Sequence, residues 1–239
     1  MITHNNLYHR IYAIDNIFLA WRKARKRKTK RKDVIEFENN IEKNLLNLHY
    51  ELKNKTYGPR PLKSFILRDP KTRKISKADF RDRVVHHTLI NVIGPILEKS
   101  FIYDSCAGRI GKGTLFALKR FCKFMRKVSN NCNNLPNDFH EKNNISGFCL
   151  KADIKHYFQN IDHEILISLL QKKIKDKGII WIIKQIINAN SDTQRERERE
   201  LSKGMPLGNL TSQFFANIYL NELDQFVKHK LKVKYYIRY

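Results

Sequence analysis

One carboxylate in this sequence stands out because its neighbours alternate in polarity. Along 148–154, apolar residues alternate with polar ones, and the polar set includes Asp153. The pattern predicts a β-strand that buries Phe148, Leu150 and Ile154 and presents Asp153 on its other face. A carboxylate displayed there could bind a divalent metal ion, although a lone aspartate at a strand end is more often a turn or cap residue.

A glycine-rich loop, GMPLGNLTSQ at 204–213, is the second feature that could carry chemistry. Gly204, Pro206 and Gly208 predict a tight turn with exposed backbone, and Asn209 or Thr211 would cap the helix that follows. The apolar face of that helix is expected to pack inward; it comprises Phe215, Ile218, Tyr219, Leu223, Phe226 and Val227. An earlier amphipathic helix should begin after the capping residue Asp162.

A basic hairpin is predicted at 60–75, where an alternating run flanks Asp69 and Pro70. The Asp-Pro pair has turn chemistry, which would place Arg68, Lys71 and Arg73 near the tip.

The other segments must position these residues. Helical spacing extends over 7–52 and returns at 78–101, with an expected interruption at Gly94-Pro95. The Asn-rich stretch 129–146 predicts a surface insertion, and the alternating charges of 195–200 predict an exposed turn.

Composition indicates a nucleic-acid partner. The chain of 239 residues has 47 Lys and Arg against 23 Asp and Glu, a net charge of +24. Nine of the eleven residues at 22–32 are basic, and the rest of the chain is basic as well. Such an excess favours polyanions, because neutralised phosphates release counterions.

The four cysteines lack metal-site spacing, and neither a signal sequence nor a membrane segment is evident, so we expect a cytoplasmic protein without membrane contact.

Five motifs, in order, resemble those of bacterial and phage reverse transcriptases, most closely the enzymes of diversity-generating retroelements. They are DPKTRKI with FRDRVVHH, FIYDSCAGRIGKGT, LKADIKHYFQNID, GMPLGNLTSQFFANIYLNELD and YYIRY. The resemblance implies an α+β right-hand polymerase fold, with fingers and an antiparallel palm sheet backed by helices, and no thumb. We expect a helical N-terminal extension at 1–54, fingers with part of the palm at 55–147, and the remaining palm at 148–239.

The resemblance also implies a role for each matching residue. Asp153 would be the first catalytic aspartate and, with the Ile154 backbone carbonyl, a ligand of one of two Mg²⁺ ions. Phe158 would lie under the sugar of the incoming dNTP and exclude a 2′-hydroxyl. Arg68, Lys71 and Arg73 would clamp the triphosphate, Leu207 and Gly208 would border the nucleotide, and Arg109, Lys112, Ser212 and Gln213 would contact template or primer.

The loop departs from the common pattern of the family, which has Gln before the second glycine and ends in Ser-Pro. This chain has Leu207 at the first position and ends with Ser212-Gln213, as do retroelement enzymes that copy adenines inaccurately. Losing an amide near the nucleotide removes a polar constraint on its position, so low fidelity is our hypothesis.

The expected function is therefore error-prone synthesis of cDNA on an RNA template, with a small basic accessory protein. Alternatives are a defence-type or uncharacterised bacterial reverse transcriptase, or a non-catalytic RNA-binding fragment. In the family, the strand of YYIRY continues as Tyr-x-Asp-Asp, so we expect this chain to be truncated and inactive alone.

Several other titratable residues have simple structural interpretations. His86, His87 and His163 are expected to be packed or capping residues without chemistry. Arg81 and Arg83 could pair with Asp79 and Asp82 or contact template, and the sequence leaves both possibilities open.

Overall fold

The structure, a computed structural model, describes residues 2–69, 72–129, 147–189 and 203–239. Contacts divide the chain into two compact units. The first contains Met1–Ser100 and His156–Tyr219, and the second contains Phe101–Lys155 and Leu220–Tyr239. Lys71, the charged run 195–200 and the predicted insertion 129–146, apart from Ser129, lie outside the described residues.

The N-terminal segment is helical, as predicted, but it forms four helices. They are α1 (Tyr8–Tyr12), α2 (Ile14–Arg25), α3 (Lys32–Glu38) and α4 (Ile41–Lys53). Each turns an apolar stripe inward, so that residues such as Ile17, Leu48 and Leu52 are fully or almost fully buried. The turn between α2 and α3 carries much of the basic run and leaves it on the surface.

The predicted hairpin is present. Strand β1 (Lys63–Leu67) pairs antiparallel with β2 (Arg73–Lys77), and Leu67 lies opposite Arg73. Arg68 and Arg73 are exposed at the tip end of the hairpin. The hairpin is the single sheet in the described part of the chain.

Helix α5 (Phe80–Leu97) runs through Gly94 and Pro95, so the predicted interruption there is wrong. A proline two residues before the helix end removes one backbone hydrogen bond. The surrounding turns are buried at Val92, Ile93 and Leu97, and this packing outweighs the loss.

The remaining long helices are α6 (Thr114–Val128), α7 (His163–Gln171), α8 (Lys177–Asn188) and α9 (Leu210–Gln225). Asp162 caps α7, as predicted, by accepting hydrogen bonds from the backbone N–H groups of Glu164 and Ile165 at 3.0 Å. No helix within the described ranges is long and apolar enough to cross a membrane.

The strand predicted at 148–154 does not form, and with it the expected antiparallel palm sheet is not seen in the described residues. The segment is irregular, and its apolar side chains are open to solvent: Phe148 is 105% exposed and Leu150 is 95% exposed. An isolated strand leaves its backbone groups without ladder partners. The alternation of polar and apolar residues was therefore not sufficient to form a strand at 148–154.

The prediction for the apolar face of α9 is correct in part. Phe215 and Ile218 are buried, whereas Leu223 and, just beyond the helix, Phe226 are half exposed. An apolar stripe is buried only along the length that another element covers.

A buried carboxylate connects α5 to the segment that follows α4. Asp82 is 1% exposed and accepts hydrogen bonds from the Tyr57 hydroxyl at 2.9 Å, the Arg60 backbone N–H at 2.9 Å and Arg81 at 3.1 Å. Burial raises the pKa of Asp82, although these donors oppose the rise. Arg81 also contacts Glu51. Of the two possibilities that the sequence left open for Arg81, the structure shows the pairing with Asp82.

We predict that Asp82→Ala lowers the free energy of unfolding by about 3 to 5 kcal/mol, because it leaves the Tyr57 hydroxyl and the Arg60 N–H without an acceptor and removes one of the two carboxylates that contact the buried Arg81 guanidinium. Urea unfolding would measure the change. The control is Glu36→Ala, which removes an exposed pair with Lys32 at 3.9 Å and should change stability by less than about 0.5 kcal/mol. Equal effects of the two substitutions would contradict the prediction.

Candidate nucleotide site

A tight turn positions the aromatic residue Phe158. His156 adopts a left-handed backbone conformation, with φ of 53°, and its carbonyl accepts hydrogen bonds from the N–H groups of Gln159 and Asn160. The neighbouring Tyr157 donates its hydroxyl to the Ala216 carbonyl in α9 at 2.9 Å and packs edge-on against Phe158 at 5.4 Å. Tyr157 therefore anchors the turn while Phe158 remains partly exposed.

The glycine loop lies against this turn through its backbone. The N–H of Gly204 donates to the Ile161 carbonyl at 2.8 Å, and the N–H of Met205 donates to the Phe158 carbonyl at 2.7 Å. His163 Nε2 lies 2.6 Å from the Gly204 carbonyl and donates to it. Gly204 has φ of +93°, and a Cβ there would lie 3.3 Å from the Gln159 carbonyl oxygen.

The other end of the loop lies against β2. The N–H of Ser76 donates to the Leu207 carbonyl at 2.9 Å, and the Asn209 side chain accepts from the N–H of Ala78 at 3.0 Å. Gly208 has φ of +113°, and a Cβ there would lie 2.7 Å from Ile75 Cγ2. Only glycine fits this contact without a shift, because the backbone conformation and the neighbouring side chain both oppose a substituent.

These contacts bring three predicted nucleotide-binding elements together within the first unit: the Phe158 turn, the loop with Leu207 and Gly208, and the hairpin. Arg73 lies three residues from Ser76 on β2, a distance of about 10 Å along the strand. Arg68 lies on the exposed end of the same hairpin. Two of the four residues predicted to contact template or primer belong to this unit: Ser212 is buried and Gln213 is exposed.

The predicted metal ligands lie in the second unit. Asp153 is exposed, and Ile154 is half exposed. In the parts of the chain that the structure describes, no group of three or more His, Cys, Asp or Glu residues could hold a metal ion. Mg²⁺ commonly takes one or two protein carboxylates and completes its shell with substrate phosphates and water. Asp153 and the Ile154 carbonyl are oxygen donors suited to part of such a shell.

Arg109 and Lys112 point into their own loop. Arg109 donates to the carbonyls of Ile102 and Ser105 at 2.9 and 3.0 Å and lies over the Phe101 ring. Lys112 donates to the Tyr103 carbonyl and lies 4.3 Å from the centre of that ring. Both cations thus stabilise the loop, and their predicted contact with template stays a prediction.

A second buried carboxylate fixes the C-terminal motif YYIRY within the second unit. Asp224 is fully buried and accepts from Tyr236 at 2.8 Å and from two nitrogens of Arg238 at 2.8 to 3.0 Å. Arg238 also donates to the Ser105 hydroxyl, and its carbonyl accepts from the N–H of Cys106 at 2.8 Å. The motif is therefore held on the loop at 104–106.

Sequence reasoning missed three residues that shape the site. His163 supports the Gly204 carbonyl, the Asn209 side chain accepts from the N–H of Ala78 directly after β2, and Ser76 supports the Leu207 carbonyl. The sequence contained no signal for Ser76, because its contribution is a backbone N–H. The position of His163 directly after the cap Asp162 was a weak signal, since it places the histidine at a helix start.

Residues 39–239 match the family described as reverse transcriptase (RNA-dependent DNA polymerase). The chain belongs to this family. The predicted membership of the reverse transcriptases is thereby confirmed, and all five motifs lie within the matched range.

Similar proteins come from several organisms. The group II intron-encoded protein LtrA of Lactococcus lactis is 28% identical over 199 residues, which are 81% of this chain and 30% of that protein. The putative COX1/OXI3 intron 2 protein of Saccharomyces cerevisiae is 23% identical over 215 residues, 86% of this chain and 23% of that protein. Nuclear intron maturase 1, mitochondrial, of Arabidopsis thaliana is 22% identical over 222 residues, 70% of this chain and 28% of that protein. The chain spans less than a third of each.

We predict that Gly208→Ala destabilises the protein by about 1 to 3 kcal/mol, because alanine must adopt a strained backbone conformation and displace Ile75. The matched control is Gly58→Ala, where a Cβ would meet nothing within 4 Å and stability should change by less than about 1 kcal/mol. Urea unfolding of the two variants would provide the comparison. A Gly208 variant as stable as the Gly58 variant would show that the loop does not need this close approach.

Proposed function

We propose that this chain contributes the nucleotide-binding part of an RNA-directed DNA polymerase that makes cDNA on an RNA template. One observation carries the proposal: a backbone-clamped loop holds Leu207 and Gly208 between the Phe158 turn and strand β2. Membership of the reverse transcriptase family supports it. Template RNA, a primer strand and dNTPs are the partners that this activity requires.

In this proposal the nucleotide lies along β2. The sugar rests near Phe158, whose partly exposed ring would leave no room for a 2′-hydroxyl. The triphosphate extends toward Arg73 and Arg68, and a planar guanidinium can bind phosphate oxygens in a bidentate manner. The rigid backbone contacts of the loop limit how far the nucleotide can shift, and such positioning is a major source of rate in phosphoryl transfer.

Asp153 and the Ile154 carbonyl would contribute oxygen ligands to Mg²⁺. Bound Mg²⁺ supplies charge stabilisation and activation of the primer 3′-hydroxyl in nucleotidyl transfer. The exposure of Asp153 leaves its carboxylate accessible to substrate phosphates and water.

We predict that Asp153→Asn in the complete protein lowers the primer-extension rate on an RNA template roughly a thousandfold, equivalent to about 4 kcal/mol of lost transition-state stabilisation. The control is Asp15→Asn at an exposed position in α2, which should retain the wild-type rate. Extension by the Asp153 variant at the wild-type rate would remove the proposed catalytic role.

We further propose that the enzyme is error-prone and belongs to a diversity-generating retroelement, where a small basic accessory protein would assist it. Leu207 supports this proposal. Its carbonyl is engaged by Ser76, so the side chain is what distinguishes this loop from one with Gln at the same place. An aliphatic side chain cannot donate a hydrogen bond that constrains the incoming nucleotide.

We predict that Leu207→Gln reduces misincorporation opposite template adenines by about tenfold, the effect of roughly one added hydrogen bond. Sequencing of cDNA copied from a defined RNA would measure the error spectrum. The control is Leu46→Gln, a half-exposed leucine in α4, which should leave the spectrum unchanged. An unchanged spectrum in the Leu207 variant would end the retroelement proposal and leave the polymerase proposal standing.

The relatives support a second possible biological role, because their names describe intron proteins and an intron maturase. By analogy, this chain could belong to a protein that copies and binds an intron RNA. Binding to a group II intron RNA well above binding to an unrelated structured RNA of equal length would favour this role over the retroelement.

A further inference from the structure

Four cations share one carboxylate at the junction of α3, β2 and α5. Asp33 accepts hydrogen bonds from Lys77 and Arg83, both at 2.5 Å, and Arg31 lies 3.9 Å away. Lys28, on the turn between α2 and α3, interacts electrostatically with all four residues. We call Lys28, Arg31, Lys77 and Arg83 the cation cluster. All of its members belong to the first unit.

One carboxylate cannot neutralise this cluster. Although burial raises the pKa of Asp33, the hydrogen bond from Lys77 and the nearby cations lower it below its usual value, so Asp33 is ionised and contributes one negative charge. The pKa of Lys28 is lowered first by burial and then by repulsion from Arg83, Arg31 and Lys77. A structural ion pair would need only one of these cations, and the others repel each other at a cost that a bound anion would relieve.

The neighbouring side chains do not supply the missing negative charge. His87 interacts with Lys28, Lys23 and Arg83, and its pKa is lowered to about 4, mainly by burial. It is therefore neutral at physiological pH. Asp79 also interacts electrostatically with Arg83, but it forms an ion pair with Arg60 at an N–O distance of 3.3 Å. The buried Nε of Arg83 has no hydrogen-bond partner among the residues that the structure describes.

The cluster has a fixed part and an open part. Arg83 and Lys77 have side chains that are 12% and 23% exposed and are held by Asp33, whereas Arg31 is 50% exposed. Lys28 is half-buried. Fixed cations lose little conformational freedom when a phosphate binds, and the more exposed ones remain accessible to a long polyanion.

We propose that the cation cluster binds backbone phosphates of single-stranded RNA, at a site separate from the nucleotide site at Phe158 and Leu207. The inference rests on the proposed function for the identity of the polyanion. Strand β2 connects the two sites, since Ser76 supports the Leu207 carbonyl and Lys77 is the next residue. An RNA held by the cluster would thus be anchored to the strand that positions the loop.

The test measures binding of a short fluorescent single-stranded RNA at several KCl concentrations. The variant Lys28→Gln/Arg31→Gln removes two cations and leaves the Asp33 pairs with Lys77 and Arg83 intact, so folding should be preserved, as thermal unfolding would verify. We expect the Kd to rise about tenfold and the slope of log Kd against log salt to fall by about 1.4, since each single-strand phosphate contact contributes about 0.7.

The matched control is Lys26→Gln/Lys30→Gln, which removes two exposed cations from the same basic run outside the cluster. A clearly smaller change supports the site, whereas an equal change shows diffuse electrostatic attraction and overturns it. Saturating dATP with Mg²⁺ should leave RNA bound at the cluster. Displacement by dATP would instead assign the cluster to nucleotide phosphates and would also overturn the proposal.

Primer extension separates this site from the proposed function. If the complete wild-type protein binds RNA through the cluster but extends no primer, the polymerase proposal fails and the site stands. If it extends primers and the cluster variant binds RNA with the wild-type Kd and salt slope, the site fails and the polymerase proposal stands.

Discussion

The close backbone approach of the loop at 204–209 to two neighbours is the constraint on which the candidate nucleotide site depends. At one end its N–H groups bind carbonyls of the Phe158 turn, and at the other its Leu207 carbonyl receives the Ser76 N–H. Both approaches occur at glycines with positive φ, where a side chain would meet Gln159 or Ile75. Because backbone groups make these contacts, the loop can keep its shape while its side chains remain available for the proposed recognition of the nucleotide.

Two carboxylates, the buried Asp82 and the partly buried Asp33, provide a second level of order around that site. Asp82 joins α5 to Tyr57 and Arg60, and Asp33 joins α3 to β2 and α5 through Lys77 and Arg83. In a chain with a net charge of +24, these carboxylates pair with cations: Asp82 with Arg81, and Asp33 with Lys77 and Arg83. The cations that remain unneutralised near Asp33 then become a surface suited to phosphate, so one cluster can both stabilise the fold and bind nucleic acid.

The second unit is organised by the same kind of interaction, since Asp224 fixes Arg238 and Asp104 fixes Arg120 in a two-nitrogen contact at 2.5 and 2.8 Å. The segment with Asp153 belongs to this unit but lacks the strand that its polarity pattern predicted. Phe148 and Leu150 in this segment are exposed. The alternation of polar and apolar residues indicates which side chains a strand would bury, whereas formation of the strand also requires a neighbouring backbone to pair with.

The sequence by itself determined the family, the hairpin, the cap at Asp162 and the helical N-terminal segment, because these depend on motif order, turn chemistry and local periodicity. Tertiary structure alone decided that Arg109 and Lys112 turn into their own loop, that Arg83 binds Asp33, and that α5 continues through Pro95. It also decided that Ser76 and His163 support the glycine loop. The contacts of Arg83, Ser76 and His163 join residues far apart in the chain, and those of Arg109 and Lys112 depend on how their loop folds; residue spacing encodes neither.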